Sequence, residues 1–218
     1  LISFKTLILS LPVWYLRLTL FNLRRTLMNK SFIIKIIVFC LVTIKASAIE
    51  KVILFGDSLM AGYGLPNEQH LSVVLQNSLE TEGYNIEIVN GSVSGSTSSG
   101  GLNIAEWTLS ESNIDLMILC LGANDMLRGI NPKETKNNLE EIIKIAKNKN
   151  IKVIIAGMIA PTSYGSNYKK SFDKIFYDLS KKYKLQLIPF LLEGVAQKPE
   201  FNLSDGMHPN DQGTIIIG

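Results

Sequence analysis

Residues 52–65 read "VILFGDSLMAGYGL", an apolar run that stops at a glycine and turns directly into polar residues. Short β-branched runs of the same kind recur along the chain and alternate with segments in which apolar residues have helical spacing. These patterns predict strands at 51–56, 85–89, 114–121, 151–158 and 186–190, and helices at 67–82, 98–110, 132–149 and 167–184. Strands that alternate with helices of this length predict crossover connections and a parallel sheet with helices on both faces.

Polar, glycine-rich segments follow the predicted strands. Ligands bind outside the carboxyl ends of the strands in open parallel sheets, so these segments are expected to share one rim and to carry the chemistry. They read "GDSL" (56–59), "NGSVSGSTSSGG" (90–101), "GANDMLRG" (122–129), "IAPTSYG" (159–165) and "SDGMHPN" (204–210). The fourth of them is expected to border an acyl pocket.

Two histidines limit the choice of a general base. His70 falls within the first predicted helix, beside apolar residues, which favours a structural role. His208 lies three residues after Asp205 and directly before Pro209, and the proline favours an extended backbone there. A carboxylate at this spacing can hold an imidazole in one tautomer and stabilise its protonated form.

Ser58, at the exit of the first strand, is the candidate nucleophile. A serine hydroxyl needs a base within hydrogen-bond reach, and a shared rim would bring His208 to it. Attack on an acyl carbon creates an oxyanion, which needs donors already in place. The candidate donors are the backbone N–H groups of Ser58 and Gly95 and the side-chain amide of Asn124. Because a histidine titrates near 6.5, activity is expected to rise through neutral pH and to be largely lost in mild acid.

Four blocks of sequence carry a resemblance to a known family. They are Gly56-Asp57-Ser58-Leu59, Gly95 in its Ser/Gly-rich loop, Gly122-x-Asn124-Asp125 and Asp205-x-x-His208. In this order and at comparable spacing, the blocks resemble those of the GDSL or SGNH hydrolase family. The segments "GDSLMAGYG", "GANDMLRG" and "DGMHPN" look most like the secreted bacterial acyl-CoA thioesterase I / lysophospholipase L1 / arylesterase group.

The resemblance implies roles for individual residues: Ser58 as nucleophile, Gly95 and Asn124 as oxyanion donors, and Asp205 and His208 as the rest of a triad. It also implies a flavodoxin-like three-layer α/β/α sandwich around a five-stranded parallel sheet. The implied substrate is a small-molecule acyl ester or thioester, such as a lysophospholipid. Family members usually continue with a full helix after the histidine block, whereas this sequence reads "GTIIIG" at its end, so a shortened last helix is expected.

Other interpretations stay open at this point. An exported carbohydrate acetyl-esterase would use the same residues and prefer short acyl groups, and a non-catalytic binding protein could keep the same fold. Competing motifs are weaker, because "GYGLPN" (62–67) lacks the third glycine of a dinucleotide fingerprint and Ser171-x-x-Lys174 lies in a predicted surface helix. The sequence contains no metal-binding motif, so neither a metal nor another cofactor is expected.

The N-terminal part has a separate character. Residues 28–48 have a cationic start, a short apolar core and a small-residue end at Ala46 and Ala48, the pattern of a secretory signal peptide. The core is too short for a membrane span, which needs about 20 residues. The mature protein is expected to be residues 49–218, one hydrolase domain that is periplasmic or secreted and has no stable membrane span. Residues 1–27 are interpreted either as the product of a start site assigned too early or as an extra anchor.

The basic balance of the chain comes from this N-terminal part. Residues 1–48 carry seven of the 22 basic residues and none of the 19 acidic ones, which leaves 15 basic and 19 acidic residues in 49–218. The formal net charge of +3 therefore gives no support for a nucleic-acid partner. Cleavage after Ala48 would leave Cys120 as the only cysteine, which excludes an internal disulfide.

Overall fold

The computed structural model describes residues 49–218, and the predictions for residues 1–27 and for a signal peptide at 28–48 lie outside the described residues. The strands in this part are β1 (Lys51–Gly56), β2 (Glu87–Asn90), β3 (Leu116–Cys120), β4 (Lys152–Ala156) and β5 (Gln186–Ile188). They form one sheet in the order β2-β1-β3-β4-β5, and every neighbouring pair is parallel. The predicted five-stranded parallel sheet is confirmed.

Helices cover both faces of the sheet. Within residues 49–218 they are α1 (Ser58–Ala61), α2 (Leu71–Thr81), α3 (Ser98–Thr108), α4 (Ala123–Leu127), α5 (Pro132–Asn148), α6 (Ser166–Tyr183) and α7 (Asp211–Ile217). Crossovers between parallel strands are right-handed, so α2, which leads from β1 to β2, lies on the opposite face from α3, α5 and α6, which lead the other way. The packing agrees, because α5 contacts both α3 and α6 while α2 contacts α7. The three-layer α/β/α sandwich is therefore confirmed.

Apolar patterning explains why these segments form these elements. The central strand β1 is buried along all but its first residue, as expected for a parallel strand covered on both faces. Helix α5 buries one apolar stripe, made of Leu139, Ile142, Ile143 and Ala146. Asn131 caps this helix by accepting a hydrogen bond from the Lys133 N–H at 2.9 Å, and Pro132 occupies its first turn.

The structure departs from the predicted elements in two respects. The helix predicted over 67–82 is a 3₁₀ turn (Asn67–Gln69) followed by α2, and His70 lies between them with an extended backbone. The His70 ring nitrogen Nε2 lies 3.1 Å from the Leu65 carbonyl oxygen, a contact back to the preceding turn that holds residue 70 out of the helix. The polar segments after β1 and β3 begin with α1 and α4, two helices that the sequence did not predict because they are too short to show a hydrophobic period.

The strand order brings two of the predicted site segments together. The carboxyl ends of β1 and β3 are neighbours at the point where the chain reverses its direction of travel along the sheet. Helix α1 begins just after β1, and α4 begins just after β3. This reversal is the topological switch point at which open α/β sheets bind ligands.

Candidate active site

Ser58 is presented by a tight turn between β1 and α1. A Cβ at Gly56 would lie 2.6 Å from the Cys120 carbonyl oxygen, so only glycine fits at the end of the strand. The next residue, Asp57, caps α1 by accepting a hydrogen bond from the Leu59 N–H at 3.1 Å. Ser58 is the first residue of the helix, and its N–H is therefore one of the donors that have no acceptor within the helix.

Ser58, His208 and Asp205 form a continuous hydrogen-bonded chain. The distance from His208 Nε2 to Ser58 Oγ is 2.9 Å, and that from His208 Nδ1 to Asp205 Oδ2 is 2.7 Å. A carboxylate only accepts hydrogen bonds, so the neutral ring carries its proton on Nδ1, and Nε2 accepts from the Ser58 hydroxyl. The structure thus brings together the three residues that the sequence proposed as a triad.

Asp205 also builds the turn that carries the imidazole. Its Oδ1 accepts hydrogen bonds from the Met207 N–H at 2.9 Å and the His208 N–H at 3.0 Å. These backbone hydrogen bonds lower the pKa of Asp205 to about 2, with a smaller contribution from the His208 ring. The carboxylate is therefore charged throughout the neutral range and stays available to the imidazole.

The two other predicted donors lie on neighbouring segments that are joined by hydrogen bonds. Gly95 has a φ of +77°, in the left-handed region that favours glycine, and its carbonyl accepts a hydrogen bond from Arg128 Nη2 at 3.1 Å. Asn124 Nδ2 donates to the Ser96 carbonyl oxygen at 3.1 Å. One cavity is lined by Ser58, Gly95, Asn124 and His208, so the residues that carry the candidate donors and the candidate nucleophile border the same space.

A buried carboxylate fixes the relative position of α3 and α4. Asp125 is fully buried and accepts hydrogen bonds from the Ser98 N–H at 2.7 Å, from the Ser98 hydroxyl and from Thr135 Oγ1 at 3.1 Å. Asn138 Nδ2 adds a bond to the Ser98 hydroxyl oxygen at 3.0 Å. Because the network fixes Asp125, it also holds the preceding residue, Asn124, against the segment that contains Gly95.

Asp57 is the second buried carboxylate of the site, with 1% of its surface exposed. Burial raises the pKa of Asp57 to about 6, although hydrogen bonds from the Leu59 N–H and the Asn124 amide oppose the shift. Its carboxyl faces the helix cap and the Asn124 amide, whereas His208 contacts Asp205. Asp57 is therefore a scaffold group beside the candidate nucleophile.

The cavity in front of Ser58 is large and mainly apolar. Its volume is about 1100 Å³, and it extends from the serine and histidine to the segment after β5. Residues 159–162, within the segment predicted to border an acyl pocket, contribute to its wall. The apolar side chains that line it include Met126, Leu127, Met158, Ile159, Phe190 and Leu192.

Two residues near the site were not identified from the sequence. Tyr63 packs its ring on the His208 imidazole, and Arg128 binds the Gly95 carbonyl. Both lie within blocks that the sequence analysis quoted, "GDSLMAGYG" and "GANDMLRG", but the contacts join segments that are far apart in the chain. The only sequence signal that could have identified Tyr63 is its position between two glycines, Gly62 and Gly64.

Within residues 49–218, no three His, Cys, Asp or Glu side chains are grouped so that they could hold a metal ion. No helix in these residues is long and apolar enough to cross a membrane. Cys120 is a free thiol buried in the core, where burial raises its pKa well above the ordinary value.

Comparisons with known proteins show what this chain is similar to. The sequence profile described as the GDSL-like lipase/acylhydrolase family matches residues 54–214. An arylesterase of Vibrio mimicus is 37% identical over 177 residues, which cover 81% of this chain and 88% of that protein. The thioesterase 1/protease 1/lysophospholipase L1 of Escherichia coli K12 is 32% identical over 177 residues, covering 81% and 84% of the two chains.

A solved structure shows that the likeness extends to the fold. The crystal structure of TesA superposes with a TM-score of 0.73 at 34% identity, and the match covers 77% of this chain and 93% of that one. The match to the family profile spans the segments that carry Ser58, Asn124 and His208. This chain therefore belongs to the GDSL-like lipase/acylhydrolase family and is an esterase-type hydrolase.

Proposed function

We propose that this protein hydrolyses acyl esters and thioesters through an acyl-enzyme formed on Ser58. The observation that carries the proposal is the chain of contacts from Ser58 Oγ through His208 to Asp205, with distances of 2.9 and 2.7 Å. A nucleophile, a base and an orienting carboxylate at hydrogen-bond distance are the components that activate a serine hydroxyl.

The proposed reaction has two halves. Ser58 Oγ attacks the acyl carbon while its proton passes to His208 Nε2, and that proton then goes to the leaving alcohol or thiol. Water next attacks the acyl-enzyme, gives its proton to His208, and the carboxylic acid leaves as Ser58 recovers its proton. In both halves the negative charge on the acyl oxygen is stabilised by the Ser58 and Gly95 N–H groups and the Asn124 amide.

The cavity supports substrates with a long apolar acyl chain. Its volume, about 1100 Å³, lies just above the usual range for small-molecule sites, roughly 300–1,000 Å³. An acetyl group would fill only a small part of it, which argues against a carbohydrate acetyl-esterase. Acyl-CoA and lysophospholipid are the substrates we propose, in line with the relatives named as thioesterase and lysophospholipase.

We also propose that the enzyme is exported. The support is the sequence of residues 28–48, with its cationic start, apolar core and small residues at 46 and 48. N-terminal sequencing of the protein recovered from the periplasm or medium is expected to begin at Ile49. Material that retains residues 1–27 would overturn this part of the proposal.

Ser58→Ala tests the reaction directly. Labelling by a fluorophosphonate probe and turnover of p-nitrophenyl esters are both expected to disappear in this variant. Ser171→Ala is the matched control, because Ser171 is an exposed serine with Lys174 at a competing motif spacing, and it is expected to keep both properties. Full labelling of Ser58→Ala, or an unlabelled wild-type protein, would refute the proposed reaction.

A panel of graded acyl chains tests the substrate class. We expect kcat/KM to rise from acetyl to long-chain p-nitrophenyl esters and acyl-CoAs, with lysophospholipid also hydrolysed. Activity confined to acetyl esters, and above all to acetylated sugars, would instead establish the acetyl-esterase alternative.

A further inference from the structure

The ring of Tyr63 rests on the imidazole of His208. Their centroids are 4.5 Å apart and their planes are inclined by 39°. Tyr63 is nevertheless 53% exposed and lines the cavity, so burial in the core does not account for its position. Its ring covers one side of the group that must gain and lose a proton in the proposed reaction.

The turn that carries this ring is held from two sides. Gly62 and Gly64 have φ values of +81° and +75°, and a Cβ on them would lie 2.3 Å from His70 Cδ2 and 2.7 Å from Leu203 Cδ1. Leu203 lies in the same loop as His208, and its N–H donates to the His208 carbonyl oxygen at 2.7 Å. The turn that carries Tyr63 is thus packed against the loop that carries His208.

We propose that Tyr63 is a positioning residue for His208: its ring keeps the imidazole directed at Ser58 and stabilises the imidazolium formed when the Ser58 proton arrives. The inference rests on the proposed function, because it needs His208 to act as the base. An aromatic face attracts a cation within about 6 Å of its centroid. The contact therefore favours the charged ring more than the neutral one.

Two carboxylates also act on this imidazole. Asp205 binds Nδ1 from the same loop, and Asp57, at the start of α1, acts on the ring through its charge. Tyr63 contributes only through the packing of its aromatic face on the ring. Its effect is consequently a modest one added to theirs, and loss of the aromatic face is expected to reduce the rate roughly two- to fivefold.

Comparing Tyr63→Phe with Tyr63→Leu distinguishes the contribution of the aromatic ring from that of the hydroxyl. With p-nitrophenyl acetate, whose acyl group is too small to depend on the cavity wall, Tyr63→Phe is expected to keep the wild-type kcat and pH profile. Tyr63→Leu is expected to lose roughly two- to fivefold in kcat with little change in KM, and its acid limb is expected to move to lower pH. The control is Tyr84→Leu, a tyrosine of similar exposure (55%) that does not line the cavity, and it is expected to behave as wild type.

A ring of the same shape with the opposite electrostatics gives the sharpest test. Pentafluorophenylalanine at position 63 keeps an aromatic ring but reverses its quadrupole, so its pH profile is expected to follow Tyr63→Leu and not Tyr63→Phe. This comparison also decides the matter if Tyr63→Leu fails to fold. Equal acid limbs for pentafluorophenylalanine and phenylalanine, or an effect of Tyr63→Leu on KM alone, would overturn the inference.

The failure of this inference can be told apart from failure of the proposed function. Ser58→Ala removes fluorophosphonate labelling if the proposed reaction is correct, whatever Tyr63 does. A wild-type rate and acid limb in Tyr63→Leu, together with loss of labelling in Ser58→Ala, would refute only the role of Tyr63.

Discussion

The side-chain amide of Asn124 faces the buried carboxyl of Asp57, with Asn124 Nδ2 3.4 Å from Asp57 Oδ2. The same amide nitrogen donates a shorter bond, 3.1 Å, to the Ser96 carbonyl oxygen. These two contacts orient the amide before any substrate arrives. An amide nitrogen has only two N–H groups, so one of these bonds, the longer one to Asp57, has to give way when Asn124 donates to a developing oxyanion. The shorter bond to Ser96 keeps the amide in place while it does so.

Asn124→Ala is therefore expected to lower kcat by about 10²–10³-fold, the typical effect of losing one oxyanion donor. Steady-state turnover of p-nitrophenyl esters measures it. Fluorophosphonate labelling should persist, more slowly, because the nucleophile and base stay in contact. Asn103→Ala, at an exposed position of α3, is the control and should turn over normally. A wild-type kcat in Asn124→Ala would exclude the amide from the oxyanion site.

Gly95 and Gly83 provide a matched pair for testing the second donor. Both have a positive φ (+77° and +86°), and a Cβ at either position would meet nothing within 4 Å. Alanine in the left-handed region costs about 1–2 kcal/mol, so both Gly→Ala variants are expected to lose a similar free energy of unfolding in urea.

Their activities are expected to differ. Gly95→Ala strains the peptide whose N–H we propose as an oxyanion donor, and its kcat/KM should fall by up to about 10²–10³-fold. Gly83→Ala, in the turn between α2 and β2, should retain wild-type kcat/KM. Equal activities in the two variants would mean that the Gly95 N–H plays no part in the reaction.

Asp57→Asn is expected to change how stability depends on pH. Burial raises the pKa of Asp57 from 3.8 to about 6, so between about pH 4 and pH 6 the folded protein binds more protons than the unfolded chain. Stability therefore falls as pH rises through this window, at a cost of about 2–3 kcal/mol once the group is ionised. Asparagine cannot ionise, and its side-chain oxygen can still accept from the Leu59 N–H.

The measurement is urea unfolding of both proteins at pH 4 and pH 7. The free energy of unfolding of Asp57→Asn, measured relative to that of wild type, should increase by about 2–3 kcal/mol from pH 4 to pH 7, because only the wild type loses stability over this range. A difference that is the same at both pH values would show that Asp57 does not titrate in this window.

The loss of activity at acidic pH should result from protonation of the His208 imidazole and not from protonation of Asp205 or Asp57. The pKa of Asp205 is about 2, so this group stays ionised in mild acid. Asp57, with a pKa of about 6, could also titrate in the range where activity falls. We expect the kcat/KM profile of Asp57→Asn to keep an acid limb, because His208 must be unprotonated to act as the base, and we expect the limb to lie at lower pH, because the Asp57 charge no longer stabilises the protonated ring. Disappearance of the limb in this variant would assign it to Asp57.

The sequence was informative about the fold because its periods are strong. The runs at 51–56 and 151–158 are apolar almost throughout, and the helix at 132–149 has a clear apolar stripe. The structure confirms that the two runs are strands, that the striped segment is a helix, and that they follow in the predicted order. The error at His70 has a local cause. "NEQH" fits a helix or a turn equally well, and the ring's bond to Leu65 decides between them.

The contacts of the site were harder to predict than its residues. Motif spacing identified Ser58 and His208 as partners, but no local pattern indicates that Arg128 reaches Gly95 or that Tyr63 covers the imidazole. The elevated pKa of Asp57 could not be predicted either, since it follows from the burial of its carboxyl in the folded chain. Such properties depend on the relative placement of segments that only the folded chain fixes.

The contact between Ser58 and His208 spans 150 positions of the sequence. A polypeptide threaded through a narrow channel, or still emerging from a ribosome, holds these two side chains tens of ångströms apart and has no means of activating its alcohol. Hydrolysis is thus switched on by completion of the tertiary structure itself.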